Sequence, residues 1–388
     1  MFAKNRRLFF VIALFQGMVF YGSIATLYRQ ASGLTVFHIT LIESISLVLM
    51  LLMEIPWGYA ADRIGYKKTI VLCNLMFCLS KLVFWQADTF FAFLAERLML
   101  SIVLSGLSGC DSAFLYANMG NKNPKRVFAI YSALGTAGLL FAAVIFSLFL
   151  YANYRLTAFL TFIAYGIAFF LSLFLSDKRD RTENKVREPL ALPVLLRTVV
   201  SDKRFVCYLV ACAFLMETGQ TVTVFLSQLQ YQKSGIPVKR FGYLYLLLTA
   251  AGMIAMSAVA FGKKLGEKGL ILVAALFCFL LYASSNAIVS VAGIIGIRIA
   301  ASLLYPLMED AKNKQVKHAN RATVLSGYAM LMSFAGIFTN LVFGWLSDLG
   351  IGYAMLFGMI LNIMGFFLVR RVRRSSSDAA NAQEHPNL

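Results

Sequence analysis

The stretch GYAADRIGYKK, from Gly58 to Lys68, places four charged residues close together between two apolar segments. The chain of 388 residues is 60% hydrophobic and only 14% charged. A soluble domain carries about a quarter charged residues, so this chain has too few to cover a water-exposed surface. The composition therefore predicts an integral membrane protein, in which the charged stretch forms a loop at the membrane boundary.

Twelve apolar runs lie along the chain. Each is long enough to cross a hydrocarbon core about 30 Å thick, for which roughly 20 residues are needed. Lipid offers no partner for unpaired backbone groups and the runs lack the alternation of barrel strands, so they are predicted to be helices. We interpret the first run as a retained helix and not as a cleaved signal segment. The predicted helices are 8–29, 36–57, 69–87, 90–117, 127–152, 154–176, 205–229, 241–262, 270–287, 289–308, 323–346 and 351–369.

Basic residues are distributed unevenly over the predicted loops. With the N-terminus inside, 28 of the 36 Lys and Arg residues fall in the tails and the even-numbered loops, five fall on the other side and three lie within helices. This asymmetry follows the positive-inside rule and predicts that both termini are cytoplasmic. Topology thereby explains the net charge of +18. We expect attraction to anionic lipid headgroups but no nucleic-acid binding.

The longest connection separates six predicted helices from six. It is charged and contains two prolines. We expect an N-terminal bundle (1–176), a cytoplasmic linker (177–204) with a short amphipathic helix in its later part, a C-terminal bundle (205–374) and a disordered tail (375–388).

The two predicted bundles also match each other at an offset of 201 residues. The motif DRIGYK falls on KKLGEK at this offset. The sequence thus predicts an all-α integral membrane fold of twelve transmembrane helices in two pseudo-symmetric six-helix bundles, with substrate binding between them near the midplane. The other matched pairs are Gln16 with Glu217, Arg97 with Arg298, and Ser101 with Ser302.

The opening stretch carries a family resemblance as well. The pattern G-x-x-x-D-R-x-G-R/Y-K-K is the signature of the loop between the second and third helices of the major facilitator superfamily, and the chain resembles this family over essentially its whole length. The phrases CDSAFLY and RATVLS are similar to a bacterial branch of it. The resemblance implies the twelve-helix fold, transport by alternating access and no enzymatic activity. The matching residues are Gly58, Asp62, Arg63, Gly65, Lys67 and Lys68.

The loop residues have physical reasons for their places. Gly65 is predicted to form the tight turn between two helices, and Gly58 to let two helix ends approach closely. The resemblance implies that Asp62 and its basic neighbours form a cytoplasmic latch. An acid adds nothing to positive-inside retention, so we favour the latch for Asp62. For the basic residues, a latch and a simple topology signal both remain open.

Seven ionisable residues fall inside the predicted helices. Each costs roughly 2.5–3.5 kcal/mol on insertion scales, so each needs a partner or a role. We interpret Lys81 as a structural partner of Glu43 or Glu96. The seven are Glu43, Lys81, Glu96, Arg97, Asp111, Glu217 and Arg298.

Two of these residues are arginines at equivalent places in the two halves. Arg97 heads a polar stripe that continues through Ser101, and Arg298 heads a similar stripe. We predict that both arginines bind substrate. Two alternatives remain: the serines serve only close helix packing, and Arg97 forms a static ion pair with Glu43 or Glu96.

An acid in the seventh helix is the predicted proton carrier. Glu217 lies near mid-membrane and has no Lys or Arg within one turn of its own helix. Burial disfavours the charged form of a carboxylate, as proton coupling requires. The alternative is a neutral, hydrogen-bonded acid that only packs. The candidate substrate- and proton-binding residues are Glu217, Arg298, Arg97, Glu43, Gln16, Gln220, Ser101 and Tyr305.

Two transport functions fit these residues. The one we favour from sequence is proton-coupled export of small amphipathic or cationic compounds, with Glu217 and Glu43 supplying negative charge. The alternative is a carrier of a small organic anion or zwitterion, with Arg97 and Arg298 as its charge clamp. The fifth helix lacks the proline and the closing glycine pair typical of antiporters, so the direction stays open. A membrane sensor that does not transport is a remote third possibility.

The sequence indicates no prosthetic chemistry. No metal motif, nucleophile elbow or phosphate loop occurs, and the six cysteines all fall in apolar segments. We expect no cofactor, a proton gradient as the energy source, and a monomer in a bacterial cytoplasmic membrane whose partners are a small-molecule substrate and lipid.

Overall fold

A computed structural model describes residues 2–118, 122–176, 197–316 and 321–384. Within these ranges the chain consists of helices and connections, without a strand. Twelve of the described segments are long and apolar enough to cross a membrane, as predicted. The helices are α1 (Phe2–Gly17), α2 (Ala25–Ala31), α3 (Val36–Ile64), α4 (Tyr66–Gln86), α5 (Phe90–Ala117), α6 (Pro124–Ile145), α7 (Tyr154–Leu173), α8 (Lys203–Gln220), α9 (Ser227–Lys233), α10 (Phe241–Ser257), α11 (Val259–Ala283), α12 (Ala287–Gln315), α13 (Arg321–Leu349) and α14 (Ile351–Glu384).

Local signals in the sequence set several helix ends. The side chain of Asn286 accepts hydrogen bonds from the backbone N–H groups of Ile288 and Val289 and so caps α12. This cap confirms the short division between the ninth and tenth spans. Asn123 and Asn153 cap α6 and α7 in the same way.

The contacts within the chain define two compact units. Unit 1 comprises Met1–Glu183 together with Pro237–Leu246, and unit 2 comprises Asn184–Ile236 together with Leu247–Leu388. The predicted linker lies mostly outside the described residues, since 177–196 are not described, and residues 197–200 are helical. The domain bounds drawn at this linker stay a prediction.

Unit 1 is built around an apolar core between α1, α4, α5 and α7. In it, α5 packs against α3 and α4, and α1 packs against α6 and α7. The contact between α1 and α6 is unusually close, because a methyl group at Gly17 would overlap the carbonyl oxygen of Gly135, and one at Gly138 would overlap that of Leu14. The buried side chains of this core include Phe9, Ile12, Ile70, Phe77, Phe114 and Leu115.

Unit 2 has its own core. There α11 packs against α12 and α14, and α8 packs against α13 and α14. Buried hydrogen bonds connect these helices: Asn362 donates to the hydroxyl of Thr218 at 3.1 Å, and the hydroxyl of Thr221 donates to Asn340 at 2.6 Å. The apolar part of this core includes Leu215, Leu270, Ile271, Leu303, Leu304 and Met308.

The predicted repeat is visible in the backbone. Gly65 has φ +89° and separates α3 from α4, which confirms the predicted turn. Gly266, its equivalent at an offset of 201, has φ +65° and kinks α11 at the corresponding place. A positive φ favours glycine, because a Cβ would be strained there. Both halves therefore have a glycine with positive φ at this turn.

Two predicted features differ from the structure. The first apolar run, 8–29, is interrupted, because α1 ends at Gly17 and α2 begins only at Ala25. Hydropathy registers the length of an apolar segment but not a break in its backbone. At the other end of the chain, α14 continues to Glu384 through most of the tail predicted to be disordered (375–388), and residues 385–388 lie outside the description. Three alanines in this segment favour a helix.

Candidate functional site

Two membrane-spanning segments lose their α-helical backbone at equivalent places. In the first span, α1 is followed by non-helical residues 18–21 and a 3-10 turn, Gly22–Ile24. In the seventh, α8 is followed by a π-helical turn, Thr221–Leu226. Interrupted segments at corresponding positions of two repeats point to a transporter's binding site, and π-turns inside helices often mark functional sites.

A change in the repeat offset accompanies the π-turn. Gln16 precedes the first interruption and matches Glu217 at 201, whereas Ser32 and Gly33 match Ser234 and Gly235 at 202. One additional residue therefore lies between the two points in the seventh span. A π-turn accommodates such a residue without unwinding the helix. The shift in offset is the signal from which sequence reasoning could have located this interruption.

Neighbouring side chains form hydrogen bonds with the backbone N–H and C=O groups at the first interruption. The N–H of Phe20 donates to the hydroxyl of Thr161 at 3.0 Å, and the hydroxyl of Tyr165 donates to the carbonyl of Gln16 at 2.7 Å. The Gln16 amide donates to the side-chain carbonyl of Asn74 at 2.8 Å. Non-helical backbone at membrane depth requires such partners. Gln16, a predicted site residue, thus helps to fix the break.

A buried charge cluster lies beyond this break in unit 1. Glu96 is fully buried and accepts a hydrogen bond from the Lys81 ammonium at 3.0 Å, and the Arg29 guanidinium lies 3.7 Å from its other oxygen. Lys81 also donates to the hydroxyl of Tyr21 at 2.9 Å. Lys81 is therefore the structural partner of Glu96, in agreement with one of the two pairings predicted.

The first of the two arginines is neutralised. Arg97 Nη2 lies 2.6 Å from Glu43 Oε1, so the predicted alternative of an ion pair between the fourth and second spans is what the structure contains. The serines below it fit the packing interpretation. Ser101 is buried and donates to the carbonyl of Arg97, and Ser105 donates to the carbonyl of Met50.

The second arginine has a different environment. Arg298 on α12 is half-buried and, among the described residues, forms neither an ion pair nor a hydrogen bond. The Arg298 side chain packs against α10. A methyl group at Gly252 would come within 2.7 Å of Arg298 Nε. Ser302 is buried one turn further on, whereas Tyr305 is 42% exposed.

The predicted proton carrier lies in the same unit. Glu217 is half-buried, and its carboxyl group lies against α13, since a methyl group at Gly336 would come within 2.6 Å of its carboxyl carbon. Gln220, one turn later, is exposed. Beyond the π-turn, Gln228 is buried.

The crossing of α8 and α12 relates Glu217 to Arg298. The two helices are in close contact where a methyl group at Gly219 would lie 2.8 Å from the Cβ of Ala301. The seventh and tenth spans run in opposite directions, so Glu217 and Arg298 flank this point on opposite sides. Their separation along the helix axes is roughly 8 Å at 1.5 Å per residue.

The charged loop of the opening stretch is described in part. The side chains of Asp62 and Arg63 and the burial of Gly58 lie outside the description, so the predicted latch stays a prediction. Lys67 and Lys68 begin α4 beside a surface groove of about 400 Å³ lined by apolar side chains of α4 and α7.

The described residues contain no group of three or more His, Cys, Asp or Glu side chains that could hold a metal ion. All six cysteines carry free thiols.

Comparison with known proteins identifies the architecture. A family model, the Major Facilitator Superfamily, matches residues 8–285. No curated protein sequence matches significantly. Among solved structures, the nucleoside transporter NupG superposes with a TM-score of 0.77 at 16% identity, covering 95% of this chain and 99% of that one.

Two further transporters share the fold. A bacterial homologue of the human lysosomal transporter Spinster, in an inward-facing and occupied conformation, gives a TM-score of 0.73 at 14% identity, with 96% of each chain covered. The D-xylose-proton symporter gives 0.69 at 12% identity, covering 95% of this chain and 97% of that one.

Proposed function

The chain belongs to the Major Facilitator Superfamily, and we propose that it carries a small organic anion or zwitterion across the membrane by alternating access. As a multi-pass member of this family it is a transporter and not an enzyme. The observation that carries the proposal is Arg298, a half-buried arginine in a membrane-spanning helix without an ion-pair partner among the described residues.

Four other cations of the described membrane spans provide the contrast. Arg29 and Lys81 share Glu96, Arg97 pairs with Glu43, and Lys312 lies 2.5 Å from Glu309. An unpaired arginine in a membrane helix costs roughly 2.5–3.5 kcal/mol on insertion scales, which is why such residues mark substrate pathways. A bound negative group would remove this cost while it is present.

The guanidinium group favours particular substrates. Its planar fork forms two parallel hydrogen bonds to a carboxylate or phosphate, which an ammonium group does not reproduce. Arg97 is engaged by Glu43, so the predicted clamp of two arginines reduces to Arg298 in this structure. Glu217, across the helix crossing, would bind the positive group of a zwitterion or a coupled proton.

The direct test is ligand-dependent thermal stabilisation of the purified protein in lipid nanodiscs. Probes would be succinate, a sugar phosphate, a zwitterionic amino acid and tetraphenylphosphonium. We expect at least one anionic or zwitterionic probe to raise the unfolding temperature of the wild type and not that of Arg298→Gln. Arg371→Gln, which removes an exposed arginine, is the charge-matched control and should respond like the wild type.

Opposite results would reject anion binding. Stabilisation by tetraphenylphosphonium alone, or equal responses of wild type and Arg298→Gln to the anions, would contradict the proposal. Arg298→Lys separates geometry from charge, because it keeps the charge but loses the fork. We expect it to bind at least tenfold more weakly than the wild type, about 1.4 kcal/mol of binding free energy.

A second candidate is proton-coupled export of cationic amphipathic compounds. The half-buried carboxyl group of Glu217, next to the π-turn, supports it. In everted vesicles with an acidic interior, gradient-driven accumulation of a fluorescent lipophilic cation that is lost in Glu217→Gln would favour this function. Vesicles that behave like those without the protein would exclude it.

We propose the remaining assignments on the sequence alone. The basic residues concentrate on one side of the predicted topology, which supports a bacterial cytoplasmic membrane with both termini cytoplasmic. The carrier would act as a monomer, use a proton gradient and need no cofactor.

A further inference from the structure

A carboxyl group near the end of α5 has a hydroxyl group as its partner. Asp111 is half-buried, and the hydroxyl of Tyr131 on α6 donates a hydrogen bond to its Oδ2 at 3.0 Å. Among the described residues Asp111 forms no ion pair. Neither residue has a role in the anion site.

Four other acids of the described membrane spans are paired with cations. Such pairing holds a carboxylate in its charged form, because a nearby cation opposes protonation. The hydroxyl of Tyr131 also favours the charged form of Asp111, but it carries no net charge and opposes protonation less than a cation does. The pairs are Glu43 with Arg97 (2.6 Å), Glu96 with Lys81 (3.0 Å), Glu309 with Lys312 (2.5 Å) and Asp310 with Lys314 (2.7 Å).

The groups that face Asp111 are neutral where they are described. On α4 the thiol of Cys73 lies close enough to interact electrostatically with Asp111, and Cys110 is its neighbour on α5. On α1 the buried ring of Phe9 stacks on Tyr131 with centroids 5.2 Å apart. Arg6, one turn before Phe9, has an interaction of its own. On α3, the ionisable side chains of Glu54, Asp62 and Arg63 lie outside the description.

We propose that Asp111 is a second proton-binding site of the carrier, with Tyr131 as a hydrogen-bond partner that serves both protonation states. The inference rests on the proposed transport function, to which it adds a place where a coupled proton is held. In the charged state the tyrosine O–H donates to the carboxylate. When a solvent proton adds to Asp111, the acid O–H can donate to the tyrosine oxygen, and Tyr131 keeps its own proton throughout.

The repeat indicates that this acid is specific to the first half. At the offset of 201, Asp111 falls on Lys312, which is buried and paired with Glu309. A fixed ion pair thus occupies the equivalent depth in unit 2. Unit 1 carries at this depth an acid whose change of charge leaves no cation of the described residues uncompensated.

Protonation would also change the contact between two helices. The bond between Tyr131 and Asp111 connects α6 to α5, which otherwise make few contacts. Hydrogen bonds to an ionised group are roughly twice as strong as neutral ones. Binding a proton would therefore weaken this connection and allow α6 to shift relative to α5.

The test is infrared difference spectroscopy of the protein in lipid nanodiscs, stepped from mildly alkaline to mildly acidic pH. No substrate is required, so the result is independent of the anion site. We expect the wild type to gain the carbonyl band of a protonated carboxylic acid in a step that Asp111→Asn lacks. The matched control Asp310→Asn removes an exposed acid and should keep that step.

Tyr131→Phe keeps the ring stacked on Phe9 but removes the hydroxyl, so it should fold and should shift both the frequency and the midpoint of the band. A step that persists in Asp111→Asn, or a band unchanged by Tyr131→Phe, would overturn the inference. A wild type that shows the Asp111 band but binds none of the anionic or zwitterionic probes would refute only the anion proposal.

Discussion

Arg97 and Glu43 form an ion pair of 2.6 Å between α5 and α3, whereas the repeat-equivalent Arg298 has no such pair among the described residues. The two arginines therefore have different environments, and only Arg298 keeps its charge available for the anion binding proposed above. Repeat symmetry alone predicts the same role for both.

The pair between Arg97 and Glu43 should behave as a structural unit. We expect Arg97→Gln and Glu43→Gln each to lower the free energy of unfolding, and the double variant to lose less than the sum. The pair is 27% and 12% exposed, so the loss should lie between the roughly 1 kcal/mol of exposed pairs and the about 3–5 kcal/mol of buried ones. Thermal unfolding in nanodiscs measures this coupling. Strictly additive losses would show that the two residues act independently.

The contact of Arg298 with Gly252 can be altered without removing charge. In Gly252→Ala the new methyl group would lie 2.7 Å from Arg298 Nε and 3.3 Å from Ser302 Oγ, so the guanidinium must move. We expect at least tenfold weaker binding of the anionic probe that stabilises the wild type. Gly269→Ala is the control, because its nearest neighbour is a Leu265 side-chain atom 3.5 Å away. Equal affinities of the two variants would show that the position of Arg298 is not critical.

Glu96 serves two cations, so the members of its cluster should differ in importance. Glu96→Gln leaves both Lys81 and Arg29 uncompensated, and we expect a loss of about 3–5 kcal/mol, as for other broken buried pairs. Lys81→Met leaves Glu96 with Arg29 at 3.7 Å and should cost less. Unfolding temperatures of the two purified variants give the order. The reverse order would mean that Lys81, through Tyr21, holds the break in the first span.

The contact between α1 and α6 predicts an unequal response of two glycines on one helix. In Gly138→Ala the methyl group would overlap the carbonyl of Leu14, and we expect a loss of about 1–3 kcal/mol from overpacking. In Gly135→Ala the nearest atom is the carbonyl oxygen of Ala13 at 3.8 Å. That variant should be neutral or slightly stabilised by higher helix propensity. Chemical unfolding of both variants decides the point, and a tolerated Gly138→Ala would contradict the geometry.

Much of the fold follows from the sequence, because apolar length and turn glycines are local properties. The twelve spans and the turn at Gly65 needed no tertiary information. The candidate site was harder to predict from the sequence. Arg97 and Arg298 are alike in type and repeat position, and only their neighbours from other helices separate them. The sequence did not separate Asp111 from the other six ionisable residues of the predicted helices, because its partner Tyr131 lies on a different helix.

The interruption of the first span has a mechanical consequence. An unbroken helix behaves as a rod that carries a twist from one end to the other. Here the hydrogen-bond ladder stops at Gly17, where the backbone is pressed against Gly135, and resumes at Ala25. The first span is thus two helices joined by a non-helical turn, so no continuous backbone ladder transmits a rotation of α1 to α2.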